Sequence, residues 1–359
     1  MAIEPGLELS ILDSATPDNV IAHARCGSDI AVARIKLDAS WSRLQKFRDT
    51  LDRGLRGDAE RPASKDVDRF GRDLFDFVMK GDVGRLYSTL QQDQRRRQVS
   101  VSVFSDRDEL QDIPWEYLQE PNSPGGPGER AVVRLLPTIG IAAPVPVAVE
   151  AGARVLFVSS DPITQQGVSW PDVEATLSRA FKAKVPAALD LRIVQGATQQ
   201  AISAALRATP RCDVFHFMGH GEVRGGQGGL ILTGDTPFLP ADRLAAMIRG
   251  CGVRLAVLSA CDTSTGSRKE PFAIVADALI RVGVSAVVAN QLPIPNSTVA
   301  TFVGAMYGEL LATGDIDRAV TQGRKALAYE LARVGGDVGI EWGIPTLHRL
   351  VGASQVYLP

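Results

Sequence analysis

The chain has 359 residues, 45% of them hydrophobic, and its 39 Lys and Arg against 41 Asp and Glu leave a formal net charge of -2. That length exceeds one ordinary domain and suits two, each burying its own core, while average apolar content at near-neutral charge excludes a disordered chain and a generally basic nucleic-acid coat. Four cysteines, Cys26, Cys212, Cys251 and Cys261, with no CxxC spacing, exclude a disulfide framework and argue against a structural zinc site.

No basic segment followed by an apolar run opens the chain, so a secretory leader is not expected and a reducing, cytoplasmic setting fits. In the first third, Leu7 to Leu12 and Ile30 to Leu37 cluster or alternate apolar residues as strands do. Asp66 to Met79 reads as an amphipathic helix, with Val67, Phe70, Leu74, Phe75 and Val78 recurring at three and four. Gly84 to Gln94 follows as a second helix, and the basic knot Arg95-Arg96-Arg97 reads as its solvated end. Val99 to Phe104 is a strand, and Asp112-Ile113-Pro114-Trp115-Glu116-Tyr117-Leu118 leads into a loop, Pro121 to Gly128, in which six of eight residues are Pro or Gly. Arg130 to Ile141 returns as a strand, and the Pro-spaced, small-residue stretch Pro144 to Gly152 marks a boundary.

The predicted division is therefore 1–150, a smaller α+β accessory or docking region packed on its neighbour, and 151–359. Beyond the boundary, strands are expected at Val155 to Val158, Leu189 to Val194, Val214 to Met218, Leu230 to Leu232, Leu255 to Leu258 and Ser285 to Ala289. Helices are expected at Asp172 to Ala183, Gln199 to Arg207, Pro240 to Ile248, Phe272 to Arg281, Ser297 to Leu311 and Asp315 to Arg333. Short β-rich runs alternating with longer helices predict an α/β fold with a mostly parallel sheet covered on both faces. The uncharged run Val282 to Gly308 is no membrane span, because Asn290, Gln291, Pro293 and Pro295 interrupt it.

Ligands of open α/β sheets collect at the carboxyl ends of the strands. Two predicted strand ends carry chemistry there. Phe215-His216-Phe217-Met218-Gly219-His220-Gly221 delivers His220 between two glycines, expected to permit a sharp turn and close approach of a substrate carbonyl. Leu255 to Thr263 ends an apolar strand at Cys261. An imidazole beside a thiol can lower the thiol pKa and later protonate a leaving amine, and backbone N–H groups can stabilise the oxyanion. Cys26, Cys212 and Cys251 have no such setting and read as packing residues, and His216, inside its strand, reads as a core or supporting group. The run Arg224 to Gly229 precedes a strand instead of a helix, so it is expected as a flexible loop and not a phosphate cradle. His precedes Cys by roughly forty residues, close to the caspase order.

These blocks resemble the CHAT-domain family, the caspase-like branch also related to separases. The similarity rests on Asp112 to Leu118, His216 to Gly221, Leu258 to Thr263, and Asp317-Arg318-Ala319-Val320 with Trp342-Gly343-Ile344-Pro345. It implies a caspase-like α/β/α sandwich and a Cys-His dyad endopeptidase, with His220 as general acid/base and Cys261 as nucleophile. By the same likeness the N–H groups of Gly221 and Cys261 form the oxyanion hole and Ser259 lines the S1 pocket. Asp161 either favours a basic P1 residue or serves as an Asx-type cap before Pro162. The family pattern of a Trp and an acidic residue after the strand ending at Ala289 is absent; the run is Asn290 to Thr298, with Asn296 at the acidic position.

The expected partners are a protein substrate and an activator in trans, in a bacterial defence or cell-death pathway. No cofactor or metal is called for, and no nucleic acid or membrane. The alternatives are a catalytically silent caspase-like interaction module and a small-molecule cysteine hydrolase.

Overall fold

The computed structural model describes residues 6–55, 57–92, 99–121, 131–136, 146–148, 153–160, 175, 189–208, 212–260, 271–290, 296–333 and 340–358. The chain forms two compact units, Met1–Leu135 with Ala328–Gly343, and Leu136–Leu327 with Ile344–Pro359. The units do not follow a single cut of the chain. The expected loop 121–128 beyond Pro121, the basic knot, the helix 172–183 except Ala175, and most of the boundary stretch lie outside the described residues.

In the first unit, β1 (Leu7–Asp13), β2 (Asn19–Cys26) and β3 (Asp29–Lys36) form an antiparallel meander. Leu7, Leu9 and Ile11 of β1 and Val20, Ala22 and Ala24 of β2 are buried at every second position, as the strand period requires. Helices α1 (Ala39–Leu55), α2 (Ser64–Val78) and α3 (Gly81–Gln92) follow. Trp41 stacks on Phe77 and Phe47 on Phe70, with ring centroids 5.6 and 4.8 Å apart, which joins α1 to α2. Then β4 (Val101–Ser105), the single turn α4 (Asp108–Gln111) and β5 (Val132–Leu135) complete a sheet of order β5-β4-β1-β2-β3, with β4 parallel to both β1 and β5.

Two blocks widely separated in sequence meet inside this unit. Trp115 donates its indole N–H to Leu110 O at 2.8 Å. The buried Glu116 carboxylate accepts two hydrogen bonds from Arg134, at 2.9 and 2.7 Å. Tyr117 donates its hydroxyl to Ile340 O and meets Trp342 edge to face, centroids 4.9 Å apart. A Cβ at Gly343 would stand 2.4 Å from the Tyr117 ring, so only glycine fits there.

The second unit holds β6 (Val147–Ala148), β7 (Ala153–Ser159), β8 (Leu189–Gln195), α5 (Gln199–Ala208), β9 (Val214–Arg224), β10 (Gln227–Ile231) and β11 (Phe238–Pro240). These are followed by α6 (Ala241–Ile248), β12 (Leu255–Ala260), α7 (Pro271–Arg281), β13 (Ala286–Asn290), α8 (Asn296–Thr313), α9 (Ile316–Arg333, which belongs to this unit as far as Leu327), β14 (Pro345–Arg349) and β15 (Tyr357–Leu358). Strands β8, β7, β9, β12 and β13 lie side by side and parallel, and β14 pairs antiparallel with β13. Leu156, Val158, Phe215, Phe217, Ala256 and Leu258 project from one face into a core shared with α5, α6 and α7. On the other face Tyr307 of α8 stacks on His216, and Asp317 of α9 holds Arg349 of β14 through two hydrogen bonds, at 2.9 and 3.0 Å. The result is the expected caspase-like α/β/α arrangement.

Polar groups fix where the parallel strands begin. Asp213, just before β9, accepts from the Arg154 N–H of β7 at 3.1 Å and from the Arg254 guanidinium at 3.0 Å, one residue before β12. Both side chains are buried, and the pair ties together the starts of three neighbouring strands.

The run Arg224 to Gly229 is not the flexible loop expected from its glycines. Arg224 pairs with Gln227 across a two-residue turn, Gly225 and Gly226, whose φ values are +57° and +80°. That is the left-handed pair a hairpin turn demands, so these glycines shape β9-β10. Among the described residues no helix is long and apolar enough to cross a membrane.

Candidate active site

The site's geometry follows from the register of β9 against β12. The two strands pair in parallel from Leu255↔Val214 to Ala260↔Gly219. His220 is the next residue after that last pair on one chain segment, and Cys261 is the next on the other. Cys261 and Asp161 themselves lie outside the described residues. His220 is buried, as are Gly221 and Ser259.

Side chains alternate along each strand, and paired residues of parallel neighbours share a face. Ser159 pairs with Met218, and Met218 with Ser259; Asn290 follows the last β12–β13 pair, Leu258↔Ala289. Ser159, Met218, Ser259 and Asn290 therefore form one buried row on the face toward α8, uncharged throughout. His220, two residues past Met218, projects from that same face.

The glycines flanking His220 do not make a turn. Strand β9 runs straight through them to Arg224, and neither has a positive φ. The space is what requires glycine. A Cβ on Gly219 would lie 2.8 Å from Ser160 O and 2.6 Å from the Phe217 ring, and one on Gly221 would lie 2.9 Å from Pro271. Met218 O accepts from Ser160 N at 3.0 Å, so the even-numbered residues of β9 bond on the β7 side. The hairpin agrees: starting from its closing pair Arg224–Gln227, the bonded pairs alternate to Glu222↔Gly229 and His220↔Ile231. The N–H of Gly221 is thus directed to the other side, where β12 lies.

Beneath the row sits His216, fully buried. Burial holds its imidazole neutral by pulling the pKa down to about 3. Nε2 is 3.4 Å from Ser259 Oγ and Nδ1 is 3.3 Å from the Tyr307 hydroxyl. The ring lies edge-on to Phe157, 5.1 Å between centroids, and stacks with Tyr307 at 6.0 Å. Burial also drives the Tyr307 phenol well above its usual range. Tyr307 is the residue that sequence inspection misses, because it falls in a largely apolar helix whose other large members, Phe302, Val303, Met306 and Leu310, are plain core.

The other described cysteines stand apart. Cys212 is buried with its thiol on Val214 O at 3.2 Å, and burial pushes its pKa up to about 12. Cys26 is buried and Cys251 half-buried, its thiol on Met247 O at 3.2 Å. Among the described residues no three His, Cys, Asp or Glu side chains are grouped to hold a metal ion.

Residues 68–337 match the sequence model of the CHAT domain family. Comparison with curated proteins finds no match. Among solved structures, the chain is similar to Saccharomyces cerevisiae separase in its complex with securin, with a TM-score of 0.51 at 9% identity over 96% of this chain. The match covers 30% of that separase chain, and it shows the fold alone. The Arg-specific cysteine proteinase gingipain R has a TM-score of 0.49 at 12% identity, over 87% of this chain and 75% of its own. Caspase-1 from Spodoptera frugiperda has 0.37 at 14%, over 60% of this chain and all of its own.

Proposed function

The chain belongs to the CHAT-domain family, and on that premise we propose that it is a cysteine endopeptidase with His220 and Cys261 as its dyad. The caspase-like peptidase fold itself suggests proteolysis. The observation that carries the finer reading is the β9–β12 register, whose last pair, Ala260↔Gly219, precedes both dyad residues by one step. In the proposed reaction the His220 imidazole takes the Cys261 proton, and the thiolate attacks the substrate carbonyl. The oxyanion is met by the N–H groups of Gly221 and Cys261, which the direction of the Gly221 N–H supports. His220 then protonates the departing amine, and water hydrolyses the thioester.

Ser259 is proposed as part of the S1 lining, and Asp161, two residues past β7, as the acid that favours Arg or Lys at P1. The substrate is a protein. Separase was solved bound to securin, and a regulatory protein acting in trans is proposed here likewise, in a cytoplasmic defence or cell-death pathway.

Alkylation with iodoacetamide, followed by peptide mass spectrometry, tests the dyad. Cys261 should be labelled well ahead of Cys212, whose buried thiol is held protonated. His220→Ala should slow labelling at Cys261 and leave Cys212 alone. Equal rates at the two cysteines, unchanged by His220→Ala, would leave only a silent interaction module.

A further inference from the structure

His216 and Tyr307 have no part in the proposed bond-making steps, yet their polar atoms converge beneath the site. Their arrangement has a direction. The imidazole is neutral in its buried setting, so one ring nitrogen donates and the other accepts. Tyr307 faces Nδ1 at 3.3 Å and Ser259 faces Nε2 at 3.4 Å. A phenol is a far stronger acid than an aliphatic alcohol, hence the better hydrogen-bond donor. Tyr307 O–H then donates to Nδ1, and Nε2–H donates to the Ser259 oxygen.

Ser259 keeps its own hydrogen, and its oxygen is already engaged from below. Ser159 and Asn290 share its row, and no residue of the row is charged. Three elements from two layers of the fold contribute: β9 supplies the imidazole, β12 of the same sheet the hydroxyl, and α8 the phenol. Phe157 and the stacked Tyr307 ring restrain the imidazole against rotation.

We propose that His216 and Tyr307 are positioning residues that hold Ser259 as an oriented hydroxyl donor in the S1 floor, so that it selects for a P1 side chain carrying a hydrogen-bond acceptor; Arg and Lys, which only donate, are left to Asp161. The inference rests on the peptidase reading, in which Ser259 lines S1. It adds a chain of command: Tyr307 sets the His216 tautomer, and the tautomer sets which way Ser259 donates.

Two measurements test it. In the first, 15N NMR of histidine-labelled protein reports the tautomer without any substrate. The Nε2–H form is expected for His216 in the wild type, with loss of that fixed preference in Tyr307→Phe. A wild-type Nδ1–H tautomer would overturn the proposal. In the second, a set of peptidyl chloromethyl ketones differing only at P1 is reacted with wild type, Ser259→Ala, Tyr307→Phe and the double variant. Labelling of Cys261 is read by mass spectrometry, and circular dichroism checks that each protein is folded.

Removing the donor should compress the preference for acceptor-bearing over isosteric apolar P1 probes by about tenfold in Ser259→Ala, the scale of one lost hydrogen bond. Tyr307→Phe should compress the same ratio, and the double variant should go no further than Ser259→Ala, because both act along one path. Ser259→Thr, which retains a hydroxyl, should restore most of the ratio. An unmoved P1 ratio in folded Tyr307→Phe, with or without a lower melting temperature, makes the network merely structural and overturns the proposal. Iodoacetamide carries no P1 group, so failure of the dyad test above would sink the peptidase reading separately.

Discussion

Glu116→Gln is the most direct test of the buried Glu116–Arg134 pair in the first unit. The wild-type carboxylate has no exposed side-chain surface and holds Arg134 by Nε–Oε1 at 2.9 Å and Nη2–Oε2 at 2.7 Å. The amide keeps the shape and loses the charge, and its NH2 group turns a donor toward the guanidinium. Removing one partner of a buried pair costs about 3–5 kcal/mol. Arg134 retains two carbonyl acceptors, Gln111 O and Ile113 O, and some exposure, which places this case at the lower end, about 3 kcal/mol. For a domain of roughly 150 residues that corresponds to a melting temperature lower by about 6–12 °C. Thermal denaturation followed by circular dichroism measures it. A second variant separates charge from packing: Glu116→Leu with Arg134→Met removes the pair together and should recover most of the loss, since apolar replacement of a whole buried pair is often near neutral. A fall of less than about 2 °C in Glu116→Gln, against the scale that ties stability to melting temperature, would refute the assignment of Glu116 as the fixed charge that holds Arg134.

Two further outcomes follow from the second unit. His216 stays neutral when folded down to about pH 3 but has an ordinary imidazole when unfolded, so its contribution is complete above about pH 6.5 and declines as pH falls toward 3. The unfolded chain takes up a proton that the folded one refuses. Urea denaturation across that range should show a slope of about 1.4 kcal/mol per pH unit from this group, reduced by one proton in His216→Gln; an unchanged slope would disprove its burial as a neutral ring. Gly219→Ala should cost about 1–3 kcal/mol, the scale of overpacking, because the new methyl meets the fixed carbonyl of Ser160. A melting temperature equal to wild type would show that β9 shifts freely there.

The elements that sequence reveals well are those whose burial has one clean period. α2 carries Val67, Phe70, Leu74, Phe77 and Val78 on one side, and it falls within two residues of the expected span. β2 and α1 escape notice for the opposite reason. The buried positions of β2 are largely Ala and Cys, which look like no strand, and α1 is charged except for a few anchors such as Trp41, Leu44 and Leu51. The glycines show the same divide. Gly225 and Gly226 lie in the left-handed region, whereas Gly219 and Gly221 are needed for want of room beside Ser160 and Pro271, and the letter G carries no mark of which reason applies.

The candidate dyad is legible because parallel sheets turn sequence into position. A buried strand, one helix and a second buried strand make a crossover that sets parallel neighbours side by side. β9, α6 and β12 form that crossover, apart from the β10–β11 hairpin, so His220 and Cys261 can be paired from their places at the ends of two apolar runs. The support beneath them obeys no such rule. Ser259 and His216 belong to the same two strands and could be matched by parity alone, but Tyr307 comes from the layer above. Its meeting with His216 depends on how α8 crosses the sheet, which is decided by packing across the core. A site read from strand ends is therefore read one layer deep, and the groups that orient it have to be sought in the helix that covers the same face.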